Sequence, residues 1–259
     1  MEVSTTANNL QFKGQRVWDR ASAPARAGVE ILKINADLRE RAVVASADLP
    51  WIPSPLPGVE RRMLERDGDE VARVTSVVKY APGSYFSEHT HGGGEEYLVL
   101  EGTFSDNYGD FPAGTYVRNP VGTKHAPHSD DGTVILVKLW WMHPADQRQI
   151  CIDTTCEDLW RAANAEGVEV MGLHRFAKEC TVMYRMISGA ALPARDLPGG
   201  EEFFVVTGSC RDDNGSYAAG TWVRTPIGKA PRLVSDGGCR LLVTRGHLLD
   251  PPPQPDTGL

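Results

Sequence analysis

The 259-residue chain has no apolar run approaching the roughly 18 residues that cross a bilayer as a helix, no Cys-x-x-Cys pair and no excess of basic charge. The first absence argues against a membrane-spanning helix. The last counts 27 Lys and Arg against 34 Asp and Glu, a net charge of −7. That balance argues against nucleic acid as a partner, because binding phosphates needs a basic face. The five cysteines are an odd number, and none precedes Cys151. They read as reduced, mostly buried thiols rather than a disulfide framework. The opening stretch MEVSTTANNLQFKGQRVW lacks the apolar segment of a secretory signal, so the expected compartment is the cytoplasm. Helix signals are scarce as well. The one candidate is Cys156–Ala165, with Thr154 or Thr155 as N-cap and Glu157 and Asp158 in its first turn.

Turn formers and short strand-like runs are plentiful. The chain holds 26 Gly and 18 Pro, which favours many tight turns over long helices. Runs such as TSVVKYAPG, EEYLVLEGTF, GTYVRNP and TVILVKLWW are rich in Val, Leu, Tyr and Thr and end at Gly, Pro or Asp. Val59–Glu65 and Glu70–Tyr80 flank Arg66-Asp67-Gly68-Asp69, a hairpin signature.

The chain also repeats itself. Residues 93–122, GGEEYLVLEGTFSDNYGDFPAGTYVRNPVG, match residues 199–228, GGEEFFVVTGSCRDDNGSYAAGTWVRTPIG, at 15 of 30 positions with a constant offset of 106. The register extends without gaps from Gly83/Gly189 to Val137/Val243. Two homologous units of about 100 residues in tandem follow from this. The expected boundaries are an arm over 1–40, a first unit over 41–146, a second over 147–250, and a Pro-rich tail over 251–259. The second unit lacks the Asp-Gly turn, so its first hairpin should differ.

Chemistry concentrates in the first unit. The stretch Gly83-SYFSE-His89-Thr90-His91-GGG-Glu95-EYLVLE-Gly102 is followed by Gly114-TYVRN-Pro120-Val121-Gly122-TK-His125. On a strand, residues two apart share a face, so His89 and His91 present both imidazoles to one space. The glycine run turns the chain and delivers Glu95 on the next strand, and His125 arrives from a later one. Three neutral imidazoles and a carboxylate suit one divalent first-row metal, iron for catalysis or zinc, manganese or nickel, with positions left open for water, oxygen or a chelating substrate. By alternation Tyr97 shares the face of Glu95 and Tyr85 that of His89, which makes both candidates for contact with a small-molecule substrate. His128 is a candidate second-layer donor. The pair Trp140-Trp141 should pack a strand end or the interface between the units.

Both spaced halves of this pattern, G-x5-H-x-H-x3-E-x6-G and G-x5-P-x-G-x2-H, resemble the signature of the cupin superfamily. LPWIPSPLPGVERRMLERDGDE, HTHGGGEEYLVLEG, FPAGTYVRNPVG and KLWWMHPADQRQ resemble its ChrR-like family in particular. Ser129 stands where that pattern ends in Asn. The resemblance spans roughly residues 42–250. It implies an all-β chain of two tandem double-stranded β-helix (jelly-roll) barrels, with a metal held by His89, His91, Glu95 and His125. It further implies either a metal-dependent oxygenase acting on a small chelating substrate or a non-catalytic sensor or binding protein. Family members that hold a sigma factor do so through an N-terminal zinc domain. No His or Cys precedes His89, so a sigma factor is not an expected partner. A homodimer remains compatible with the pattern.

At the same offset Arg195 stands at the position of His89, Leu197 at that of His91 and Pro231 at that of His125, while Glu201 matches Glu95. The second barrel should therefore keep the fold without the metal, with Arg195 pairing the otherwise unpartnered Glu201. Residues present in both copies, Arg118/Arg224, Glu96/Glu202 and Asp106/Asp212, read as turn or salt-bridge residues.

Overall fold

A computed structural model of the chain describes residues 32–253. Most of the 1–40 arm and the end of the 251–259 tail lie outside the described residues. Within them, Lys33–Ile34 is a short strand paired with Val59–Asp67. The described residues contain no α-helix, and none of their helices is long and apolar enough to cross a membrane.

The elements are strands because the apolar residues recur at period two and glycines close the turns. In the first barrel the main sheet runs Lys33–Ile34, Val59–Asp67, Arg73–Tyr80, Thr133–Leu139, Glu95–Asp106, Thr115–Asn119 and Ile150–Asp153, all neighbours antiparallel. In the second it runs Arg161–Ala162, Val168–Phe176, Glu179–Met186, Leu233–Arg245, Glu201–Asp212, Thr221–Thr225 and Ala42–Ala45. The two barrels thus exchange strands. Ala42–Ala45, which precedes the first barrel in the chain, pairs with Thr221–Thr225 of the second. Ile150–Asp153, which precedes the second, pairs with Thr115–Asn119 of the first. The repeat alone suggests two separable copies, but one edge of each sheet is closed by a strand from the other half of the chain.

Alternation along the long strands builds three apolar layers. Tyr97 and Val99 face the interior of the first barrel with Val59, Val117, Ile135 and Val137. Phe203 and Val205 do the same in the second with Val223, Leu241 and Val243. Leu98, Tyr116, Leu136, Met183, Phe204, Trp222 and Leu242 meet between the barrels. Gly102 and Gly208, with φ near +70° and +73°, lie two residues beyond matching bulges at Leu100 and Val206. A Cβ there would collide with the carbonyl of Gly132 or Gly238, so only glycine fits.

The expected helix at Cys156–Ala165 is not formed. Glu157–Leu159 makes one 3-10 turn, after which the backbone extends and Arg161–Ala162 pairs with Val168–Phe176. Extending the chain buries Trp160 in the layer between the barrels. That burial outweighs the weak propensity of a ten-residue helix. The hairpin around Gly68 forms with strands Val59–Asp67 and Arg73–Tyr80. Its counterpart closes differently, through Ala177-Lys178, with Ala177 at φ +48°.

All five cysteines are free. Cys210 and Cys239 are buried as expected, but Cys151 is exposed, because the exchanged strand that carries it lies at the edge of the first sheet.

Candidate metal centre

A two-stranded ribbon builds the site. His89–Thr90 pairs antiparallel with Lys124–His125, placing His89 directly opposite His125. His91 follows two residues on, its backbone nitrogen bonded to the carbonyl of Thr123. Glu95 opens the next long strand, between Leu139 and Asn119. The glycine run has a specific reason. The ring of Trp140 lies against Gly92 and Gly93, and a Cβ on Gly92 would come within 2.9 Å of it.

The ligating nitrogens of His89, His91 and His125 lie within 4.8 Å of one another. The rings are mutually edge-on, with centroids 4.7 to 5.3 Å apart. Glu95 Oε2 lies 3.4 Å from Nε2 of both His91 and His125. Each Nδ1 faces an oxygen. His91 Nδ1 is 2.9 Å from Thr123 Oγ1, whose own proton goes to the Pro120 carbonyl at 2.6 Å. His125 Nδ1 is 2.9 Å from Asp106 Oδ2, and His89 Nδ1 is 3.3 Å from the Ser87 carbonyl. These acceptors fix the proton on Nδ1 and turn each Nε2 lone pair toward the centre. His91 Nε2 and His125 Nε2 are buried and make no hydrogen bond. Two lone pairs facing a carboxylate oxygen repel unless a cation lies among them, so this donor set fits a divalent metal ion.

Burial pulls the pKa of His91 down. Burial acts the same way on His125, but the Asp106 hydrogen bond and the charge of Glu95 outweigh it and leave its pKa raised. The cluster opens into a cavity of about 400 Å³ inside the first barrel, walled largely by aliphatic side chains together with Tyr80, Phe86 and Trp140.

The structure brings together all four expected ligands and separates them from the two tyrosines. Tyr85 is 70 % exposed, because its short strand pairs with His128–Ser129 at the barrel's outer side. Tyr97 is buried among Phe104 and Phe111, and its hydroxyl makes no hydrogen bond. Neither lines the cavity. His128 is half-buried and lies outside the histidine cluster. Trp141 is buried beside Lys138 and His247, whereas Trp140 walls the cavity.

Two residues escaped the sequence reading. Asp106, read as structural because Asp212 matches it, holds His125 as well as the backbone nitrogen of Tyr108. Asp212 instead accepts from the Tyr217 hydroxyl at 2.5 Å and pairs with Arg41. Thr123, which orients His91, carried no signal except its place in the Pro-Val-Gly turn. Arg118 pairs with Glu96 at 2.6 Å as expected, but Arg224 bonds the carbonyls of Asp37 and Glu40 rather than Glu202.

In the second barrel Arg195 reaches Glu201 through Nε at 3.2 Å and through its terminal nitrogen at 2.6 Å. Arg245, at the position of Leu139, bonds the same carboxylate at 2.5 Å. Two guanidinium groups stand where the first barrel gathers imidazoles. The carboxylate is kept and its cation is supplied by the chain itself.

The model of the ChrR cupin-like domain matches residues 39–143 and again 147–249. No curated protein sequence matches the chain. Among solved structures, a protein provisionally assigned as a dioxygenase from Nostoc punctiforme aligns over 82 % of this chain and 85 % of its own, at 16 % identity and a TM-score of 0.67. Salicylate 1,2-dioxygenase from Pseudoaminobacter salicylatoxidans aligns over 68 % and 71 %, at 13 % identity and a TM-score of 0.56. A cupin 2 conserved barrel domain protein from Leptotrichia buccalis aligns over 84 % and 97 %, at 12 % identity and a TM-score of 0.52. At such identities the likeness is one of fold.

Proposed function

The chain belongs to the ChrR cupin-like family, with the domain present twice, and from that premise we propose that its first barrel is a metal-dependent oxygenase acting on a small chelating substrate. His89, His91, Glu95 and His125 hold one divalent transition metal, with iron as the catalytic choice and zinc, manganese or nickel as alternatives. The observation that carries this reading is the convergence of three imidazoles and one carboxylate on a cavity of the first barrel, a cluster with no counterpart among the described residues of the second. The dioxygenases among the similar folds support it.

The bound metal supplies Lewis-acid and redox chemistry at the substrate's oxygen atoms. The chain's own residues prepare the site. Asp106, Thr123 and the Ser87 carbonyl keep the three protons on Nδ1. The aliphatic part of the wall, Val59, Val74, Val78, Ile135, Val137 and Leu139, offers an apolar surface for the body of a substrate. No step is assigned to the second barrel, whose carboxylate is closed off by Arg195 and Arg245.

Elemental analysis of the purified protein, followed by oxygen-uptake assays with chelating substrates on the iron-loaded chain, tests the proposal. Oxygen consumption that disappears in His91→Ala is the expected result. Zinc as the resident metal with no oxygen consumption in the iron-loaded form overturns it in favour of a sensor or small-molecule-binding barrel.

A further inference from the structure

The cavity beside the histidines carries a second recognition feature. Arg61 and Arg66 line it at the end away from Glu95, together with a second carboxylate, Glu70. Glu70 takes both terminal nitrogens of Arg61, at 3.1 and 2.8 Å. Arg66 is 3 % exposed and forms no ion pair with any described residue. Its Nε and one terminal nitrogen go to the backbone carbonyls of Gly68 and Asp69, which are neutral acceptors. Glu70, Asp69 and Glu65 attract this guanidinium only through space, and burial outweighs them and lowers its pKa. The cavity wall therefore holds a buried guanidinium that no carboxylate contacts directly, an arrangement that an entering anion would relieve.

Register fixes where this charge lies. Arg66 pairs with Val74, Val74 with Leu139, and Leu139 with Glu95, so Arg66 and the carboxylate of the metal centre occupy one row of the barrel wall. Three strand steps make an arc of about 14 Å around a concave surface, and the apolar side chains of Val74 and Leu139 fill the interval. One row deeper, the hydroxyl of Ser76 lines the same cavity, 2 % exposed and without a hydrogen-bond partner. Resting on the oxygenase reading, we infer that the substrate of this site is a small amphiphilic carboxylate. Its metal-binding oxygens meet the histidine cluster, its aliphatic body lies across Val74 and Leu139, and its carboxylate is gripped by Arg66.

Two hydroxamates of equal length test this on the full chain loaded with cobalt(II), whose visible bands report chelation. Adipic monohydroxamate ends in a carboxylate and hexanohydroxamate in a methyl group. Both should perturb the bands, with the carboxylate form bound about tenfold more tightly. Arg66→Gln should abolish that preference and leave hexanohydroxamate binding unchanged, and Arg66→Lys should restore part of it. Equal affinities in the unaltered chain, or a preference that survives Arg66→Gln, overturn the inference. Cobalt bands that respond to neither hydroxamate overturn the metal reading instead. The carboxylate site is then judged in the metal-free chain by thermal shift. Stabilisation by hexanoate but not by hexanol, lost in Arg66→Gln, upholds it, and no stabilisation overturns it.

Discussion

His125 and Asp106 meet at 2.9 Å through Nδ1 and a carboxylate oxygen, both buried, and this contact separates the two barrels more sharply than the histidines alone. The aspartate exists in both copies, but only in the first does it face an imidazole. It makes His125 a better donor by keeping the proton on Nδ1 and balancing charge drawn toward a metal.

Asp106→Asn removes the charge and leaves one acceptor oxygen where two are used, so with that oxygen on the Tyr108 N–H the amide NH2 faces His125 Nδ1. Metal affinity should fall by about tenfold or more, measured by competition with a chelator, while the far-UV circular dichroism stays as it was. Unaltered affinity would show that the carboxylate serves only the turn.

His89 is the exposed member of the cluster, so its loss costs little packing. His89→Ala should abolish tight metal binding and leave the thermal transition of the metal-free protein within about 1 kcal/mol of the original.

Glu201 is 2 % exposed between two guanidinium groups. Glu201→Gln leaves Arg195 and Arg245 facing each other without their anion, and should destabilise the chain by about 3 kcal/mol in urea denaturation. A neutral effect would mean that the arginines are solvated and that the stand-in ion pair contributes nothing.

Glu179 should govern part of the stability profile with pH. Burial raises its pKa from 4.5 to about 7, against the attraction of Arg118. Arg118 lies 3.1 Å from it but is shared with Glu96 and Asp146, and one guanidinium cannot neutralise three carboxylates. Because the folded pKa lies above the unfolded one, the contribution is complete below pH 4.5 and is lost as pH rises through 7. Glu179→Gln should therefore match the wild type near pH 4.5 and exceed it above pH 7, by at most about 3 kcal/mol. His174 and His247, whose pKa values burial lowers, act in the opposite direction as pH falls. The difference between variant and wild type isolates the glutamate.

The exchanged strands predict how the chain divides. Fragments 32–146 and 147–253, expressed apart, should each be unstable, because each keeps a strand that belongs to the other's sheet edge. Mixed, they should regain the β-sheet signal and metal binding. Two fragments that fold independently would contradict the exchange.

The sequence by itself determined the two copies, the all-β class, the four side chains that meet in the first barrel and the pairing of Arg195 with Glu201. Each follows from spacing: a constant offset, a period of two, and motif intervals that place side chains on one face. The sequence could not reveal what depends on neighbours distant along the chain. Asp106 looked structural because Asp212 matches it, and only the fold showed that its partner is His125 from another strand; Trp160 left a helical pattern because a layer between barrels was there to bury it. Ala42–Ala45 and Ile150–Asp153 are too short to carry a pattern of their own, and only packing assigned each to the opposite barrel. The row that joins Arg66 to Glu95 runs across four strands, so it exists only once the sheet has closed.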